Sequence, residues 1–266
     1  MRRDRNLIRR YVKGAVSHSR IVTVLGPSEI RRILLDEKLS ELRQSGVPRG
    51  NLVVIFESPD GYRVLKKSKT GDLRAEIETL QRLQGFNDSF PVVTHYSSQF
   101  DWFVTDYFPH VPWPTPQELE KGFLRLLELV HEKLGTSSEC AAELIREFGL
   151  KSSDLATWLK SEGLCEEEIK EIISGQITLG LVYGSRLEGN LLNGTSKTSL
   201  QLIDFEKAHW GPIIIDFARL WERHSREIER LFTKFGGKEN LNAAQQILFW
   251  RGLQAMGIPA NAFREN

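Results

Sequence analysis

Leu181-Val182-Tyr183-Gly184-Ser185-Arg186-Leu187-Glu188-Gly189-Asn190-Leu191-Leu192-Asn193-Gly194-Thr195, followed by Leu200-Gln201-Leu202-Ile203-Asp204-Phe205-Glu206, is the stretch on which the fold turns. Two short apolar strands stand either side of a loop that Asn193-Gly194 opens, the loop running on through 195–199. Asn190 precedes the first strand, and Gly189 before it lets the backbone turn sharply. Asp204 ends the second strand. The hairpin therefore brings one amide oxygen beside one carboxylate. That pair suits Mg²⁺, which takes one or two protein oxygens and fills its shell with water and phosphate. Asn193-Gly194-Thr195 also fits a glycosylation acceptor, but in a chain with no secretory signal it reads as a turn.

The rest of the chain is that of an ordinary globular protein. Its 266 residues are 40% hydrophobic and 27% charged, enough for one large core or two modest ones. A formal net charge of +1 supplies no global field for nucleic acid or an anionic bilayer. Cys140 and Cys165 are too few and too far apart for a disulfide framework or a metal knuckle, which points to a reducing, cytoplasmic setting. The histidines show no paired ligand spacing, against zinc. No apolar run reaches the ~18 residues of a membrane span. The basic start, Met1 to Lys13, lacks the apolar block of a signal peptide and reads as a solvated terminus or a helix for peripheral membrane contact.

Periodicity divides the chain in two. Residues 1–107 mix strand patterns (20–25, 51–57, 62–67, 92–96 and 102–107) with helices over 29–43 and 72–84. Ser58-Pro59-Asp60-Gly61 reads as a hairpin turn. The proline-punctuated segment 108–116 is the expected boundary. Residues 108–266 are mainly helical, over 116–134, 139–147, 153–161, 166–174, 216–235 and 241–256, interrupted by the hairpin. The expected fold class is α+β and bilobal: a small antiparallel-sheet lobe (1–107) and a larger helical lobe (108–266). Trp210 and Trp221 read as core or lobe-packing aromatics rather than a stacking platform for bases.

The helix over 72–84 carries the second clue. At about 100° per residue, Glu76 falls within the apolar sector of Leu73, Ile77, Leu80 and Leu83, whereas Glu78 points away. A carboxylate on a buried face needs a cation beside it. Lys66 and Lys67 on the preceding strand point to opposite faces, so one of them turns toward Glu76.

An inward Lys on a strand, a Glu on the next helix, Gly184-x-x-x-x-x-Asn190 and Ile203-Asp204-Phe205-Glu206, in that order, resemble the protein-kinase-like superfamily in its aminoglycoside phosphotransferase and choline kinase branch. The resemblance covers roughly residues 50 to 221. It implies that Lys66 contacts the phosphates of ATP, with Glu76 as its helix partner, and that Asn190 and Asp204 hold Mg²⁺. By position alone it also implies that Asp106 and Phe108 lie in the connector that meets adenine. Asp216, in Asp216-Phe217-Ala218, is implied to be structural.

The same resemblance exposes three departures. Ser185 stands at the position of the catalytic Asp, Tyr183 at that of the usual His, and no glycine-rich phosphate loop is present. A serine hydroxyl needs activation before it serves as a base, and Glu188 is a substitute only if the loop rearranges. The expectation is a pseudokinase that binds Mg-ATP. The alternatives are an active small-molecule or sugar kinase (or nucleotidyl transferase) with an unusual base, and a nucleotide-free scaffold. A small molecule, sugar or protein is the implied acceptor.

Overall fold

The computed structural model describes residues 24–25, 51–58, 61–68, 72–84, 89–195, 200–237, 239–259 and 262. The expectations for the basic start, the strand part 20–23, the helix over 29–43 and the turn residues Pro59 and Asp60 lie outside the described residues. The chain forms two compact units: unit 1 holds residues 1–113 and 188–206, unit 2 holds 114–187 and 207–266. The mixture of helices and small, mostly antiparallel sheets is α+β.

Unit 1 is built on a five-stranded sheet, ordered β1-β2-β3-β5-β4, from β1 (Val24–Leu25), β2 (Leu52–Ser58), β3 (Gly61–Lys67), β4 (Val93–Tyr96) and β5 (Trp102–Asp106). β1 runs parallel to β2 and the remaining pairs are antiparallel. Helix α1 (Arg74–Leu83) follows β3. It buries Ile77, Leu80 and Leu83, with Leu73 at its start, and Glu76 with them, while Glu78 is exposed. A second sheet, ordered β10-β9-β6, contains β6 (His110–Val111), β9 (Leu191–Gly194) and β10 (Leu200–Leu202). β9 and β10 are the hairpin read from the sequence; β6 is an addition from the proline-rich segment.

Unit 2 begins with α2 (Pro116–Leu134). The Thr115 hydroxyl caps it by accepting from the Glu118 N–H, and Pro116 takes the first helical position, where no N–H is needed. A three-stranded antiparallel sheet, ordered β11-β8-β7, follows from β7 (Ser137–Cys140), β8 (Gln176–Val182) and β11 (His209–Pro212). Around it lie α3 (Ala141–Glu147), α4 (Ser152–Ser161), α5 (Glu166–Ser174), α6 (Ile214–Ala218), α7 (Trp221–Phe235) and α8 (Ala243–Ala255). Asn242 begins α8 with a capping box to Gln245.

Two expectations need correction. The helix read over 216–235 is two helices, and the break falls at Arg219 and Leu220. The Arg219 guanidinium there donates to the Ser185 carbonyl at 2.7 Å, a tertiary contact that local periodicity does not encode. Trp210, on the edge strand β11, is 45% exposed, so the core reading does not hold for it.

Candidate functional site

Strand β3 delivers the first functional side chain. Paired on both sides, by β2 and β5, it sets Lys66 opposite Val53 and Phe103 and buries it to 8% exposure. An ammonium so far from water requires anionic partners. The Lys66 Nζ donates to Glu76 Oε2 at 2.6 Å and to Asp204 Oδ1 at 2.7 Å, and Glu206 stands 3.7 Å away. Lys66, not Lys67, is therefore the partner of Glu76. Lys67 is buried nearer Asp101, at 3.8 Å.

Glu76 is 2% exposed and is bonded at both ends. While Oε2 takes the ammonium, Oε1 accepts the backbone N–H of Phe205 at 3.1 Å. The Phe205 ring is itself buried, edge-on to Phe90 with centroids 6.0 Å apart. Helix α1, strand β3 and the segment after β10 thus meet at one carboxylate. Burial pushes the Glu76 carboxyl above its ordinary value, against the opposing pull of Lys66. Burial also works to lower the Lys66 ammonium, but Glu76 and Asp204 outweigh it and hold it above its ordinary value. Lys66 stays charged throughout the physiological range.

Asp204 adopts a left-handed backbone, with φ 68°, which is uncommon for a residue other than glycine and better tolerated by Asp than by most. Asn190, 8% exposed, follows Gly189, whose φ of 78° makes the turn into β9. The Ile203 N–H donates to the Asn190 carbonyl at 2.9 Å, so the ladder of the hairpin runs right up to both residues. Asn190 and Asp204 therefore occupy the same open end of the hairpin. Glu206, half exposed, accepts from the Asn51 amide at 2.9 Å, a link across 155 positions that sequence reading missed.

Among the described residues one ammonium, of Lys66, stands within 4 Å of three carboxylates here, a local grouping of negative charge that a divalent cation would offset. Among the described residues no three His, Cys, Asp or Glu side chains form a metal cage. The end of the hairpin carries a carboxylate residue and an amide residue, donors of the hard type that suits Mg²⁺ with further oxygens supplied by phosphate.

The connector residues are placed less tellingly. Asp106 is exposed at the end of β5 and pairs with Arg63. The carbonyl of Phe108 faces the His110 ring Nδ1 at 3.0 Å.

Ser185 lies in unit 2, in the loop that follows β8, and is 7% exposed. Asp216 of α6, 2% exposed, fixes that loop: its carboxylate accepts from the N–H of Tyr183 at 2.5 Å and of Gly184 at 3.0 Å. Burial pushes the Asp216 carboxyl up, with Arg219 and the two N–H groups opposing. Gly184 has φ 69°, and a Cβ there would come within 3.0 Å of the Lys207 carbonyl, so the loop needs glycine at this point. Arg219 holds the next carbonyl and stacks over the Phe123 ring at 5.0 Å. Glu188 is exposed.

No family model matches the chain, and no curated protein matches it in sequence. Solved structures do match. A choline kinase from Streptococcus pneumoniae is similar at 13% identity and a TM-score of 0.48, over 89% of this chain and 95% of that one. A macrolide 2'-phosphotransferase of type I is similar at 13% identity and a TM-score of 0.44, over 86% of this chain and 94% of that one. An aminoglycoside phosphotransferase from Alicyclobacillus acidocaldarius is similar at 19% identity and a TM-score of 0.39, over 79% and 73%. Among the described residues no helix is long and apolar enough to cross a membrane.

Proposed function

We propose that the chain binds a magnesium nucleotide through unit 1 and is a pseudokinase. One observation carries the reading: the buried Lys66 ammonium is bonded at once to Glu76 and to Asp204. A buried ammonium has three N–H donors to satisfy, and what sets Lys66 apart is that its second partner, Asp204, lies on a turn at the end of the hairpin that also carries Asn190. A lysine shared between a fixed carboxylate and one on a turn is poised to exchange the second for phosphate oxygens. In this reading Glu76 keeps Lys66 aimed, Asp204 and Asn190 hold Mg²⁺, and Lys66 neutralises phosphate charge. Mg²⁺ supplies charge neutralisation at the phosphates when bound.

Catalysis is the part that is impaired. Positioned acid–base groups contribute ~10²–10⁴-fold, and Ser185 has no carboxylate to offer. Phosphoryl transfer depends mainly on positioning and electrostatics, so restoring the missing group is a clean test.

Thermal unfolding with millimolar ATP, in Mg²⁺ and then in EDTA, tests binding first. A ligand at 100 times its Kd stabilises the folded state by about 2.7 kcal/mol. The expected rise in Tm depends on Mg²⁺ and is lost in Asp204→Ala. No rise in the unaltered protein sinks the proposal. Ser185→Asp then tests the impairment: ATP turnover is expected to climb by at least ~10²-fold. High turnover before the substitution would show an active kinase instead.

A further inference from the structure

The geometry points to Trp113 as a positioning residue for Asn190, an inference that rests on the nucleotide reading above. Asn190 has to present its side chain in one direction to serve as a ligand, and a side chain points where the two flanking peptides send it. The peptide on its C-terminal side is held by the Ile203 N–H on the Asn190 carbonyl, 2.9 Å. That bond makes Asn190 and Ile203 a hydrogen-bonded pair of the antiparallel ladder. Leu191 and Leu202 are then the non-bonded pair that follows, and the Leu191 carbonyl points away from β10.

On that far side runs β6, with His110 opposite Gly194 and Val111 opposite Asn193. The same register sets Trp113 opposite Leu191. Pro112 falls opposite Leu192, at a position of this ladder where no N–H is needed toward β9, and its carbonyl accepts from the Asn193 side-chain amide at 3.4 Å. The donor to Leu191 is the Trp113 indole N–H, at 2.8 Å. Two successive carbonyls, of residues 190 and 191, are thus tied in opposite directions, one by β10 and one by an indole 78 positions upstream. Gly189, at φ 78°, imposes little restraint on the other side. The indole bond holds the next peptide, between Leu191 and Leu192, from the opposite side, so the Asn190–Leu191 peptide cannot roll about the strand axis and Asn190 is braced through Leu191.

Trp113→Phe keeps most of the ring and deletes the donor; Trp113→His shortens the ring but can still donate. ADP binding is measured by titration calorimetry in Mg²⁺ and in EDTA. In the unaltered protein Mg²⁺ tightens binding. In Trp113→Phe that metal-dependent gain falls at least about tenfold, the usual cost of losing a group that orients a ligand, while binding in EDTA is unchanged. Trp113→His recovers part of the gain. Equal losses with and without metal, or no loss, overturn the inference. Absence of any Mg²⁺ effect in the unaltered protein overturns the nucleotide reading instead. The positioning of Asn190 is then decided without metal, from its side-chain amide NMR signals, assigned by their loss in Asn190→Ala. They are expected to shift and broaden in Trp113→Phe and to stay in place in Trp113→His; signals unmoved in Trp113→Phe overturn the inference outright.

Discussion

Replacing Lys66 by Met tests the electrostatics of unit 1 most directly. The substitution keeps the length of the side chain and removes the ammonium from between Glu76 and Asp204. Removing one member of a buried ion pair typically costs about 3–5 kcal/mol, because the other charge is stranded. Glu76 keeps one donor, the Phe205 N–H, and Asp204 has some access to water, so the lower end applies, about 3 kcal/mol at pH 7.5. The pH dependence gives the cause away. Burial already pushes the Glu76 carboxyl up, and loss of Lys66 removes the group that opposes this. The folded variant then binds a proton more readily than the unfolded chain, so its stability rises as pH falls toward the raised value. Urea unfolding at pH 7.5 and 5.5, followed by circular dichroism, should show the deficit shrinking at the lower pH. Lys66→Met combined with Glu76→Leu, which strands no buried helix carboxylate, should recover part of it at pH 7.5. A deficit below about 1 kcal/mol, or one equal at both pH values, would refute the reasoning.

Two more outcomes follow from unit 2. His131 is 2% exposed, neither ring nitrogen has a hydrogen-bond partner among the described residues, and burial pulls its pKa from 6.5 down to about 4. The unfolded chain takes up the proton first, so this residue removes about 3 kcal/mol of stability as pH falls from 6.5 through 4; His131→Leu should abolish that slope in acid titrations of unfolding, and an unchanged slope rejects the assignment. Asp216→Ala leaves the N–H groups of Tyr183 and Gly184 without their acceptor and should cost about 3 kcal/mol in urea unfolding. Asp216→Asn, which retains one acceptor oxygen, should cost visibly less, and equal costs would show that charge rather than hydrogen bonding matters there.

Much of unit 1 was legible because its residues break local rules. Glu76 sits among leucines on a helix face, and only a buried partner explains that; the partner proved to be Lys66 rather than Lys67, which alternation alone left open. The hairpin was legible because Gly189, Asn193-Gly194 and the apolar runs mark its turns and strands. Strand β8 was not, since it is buried along most of its length and carries no polar–apolar alternation. Strand β7 is Ser-Ser-Glu-Cys, with no strand composition at all. Arg219, Asn51 and Trp113 were missed for a shared reason. Each acts on a carbonyl or side chain 34 or more positions away, and no local pattern reports such a partner.

Glu76 is tied to Lys66 by one oxygen and to the Phe205 amide by the other. A displacement of α1 that broke one of these contacts would strain the second, since a carboxylate is rigid and its two oxygens cannot move independently. Small molecules or partner proteins that shift this helix would therefore act on the lysine and on the turn bearing Asp204 together, as a toggle rather than a dial.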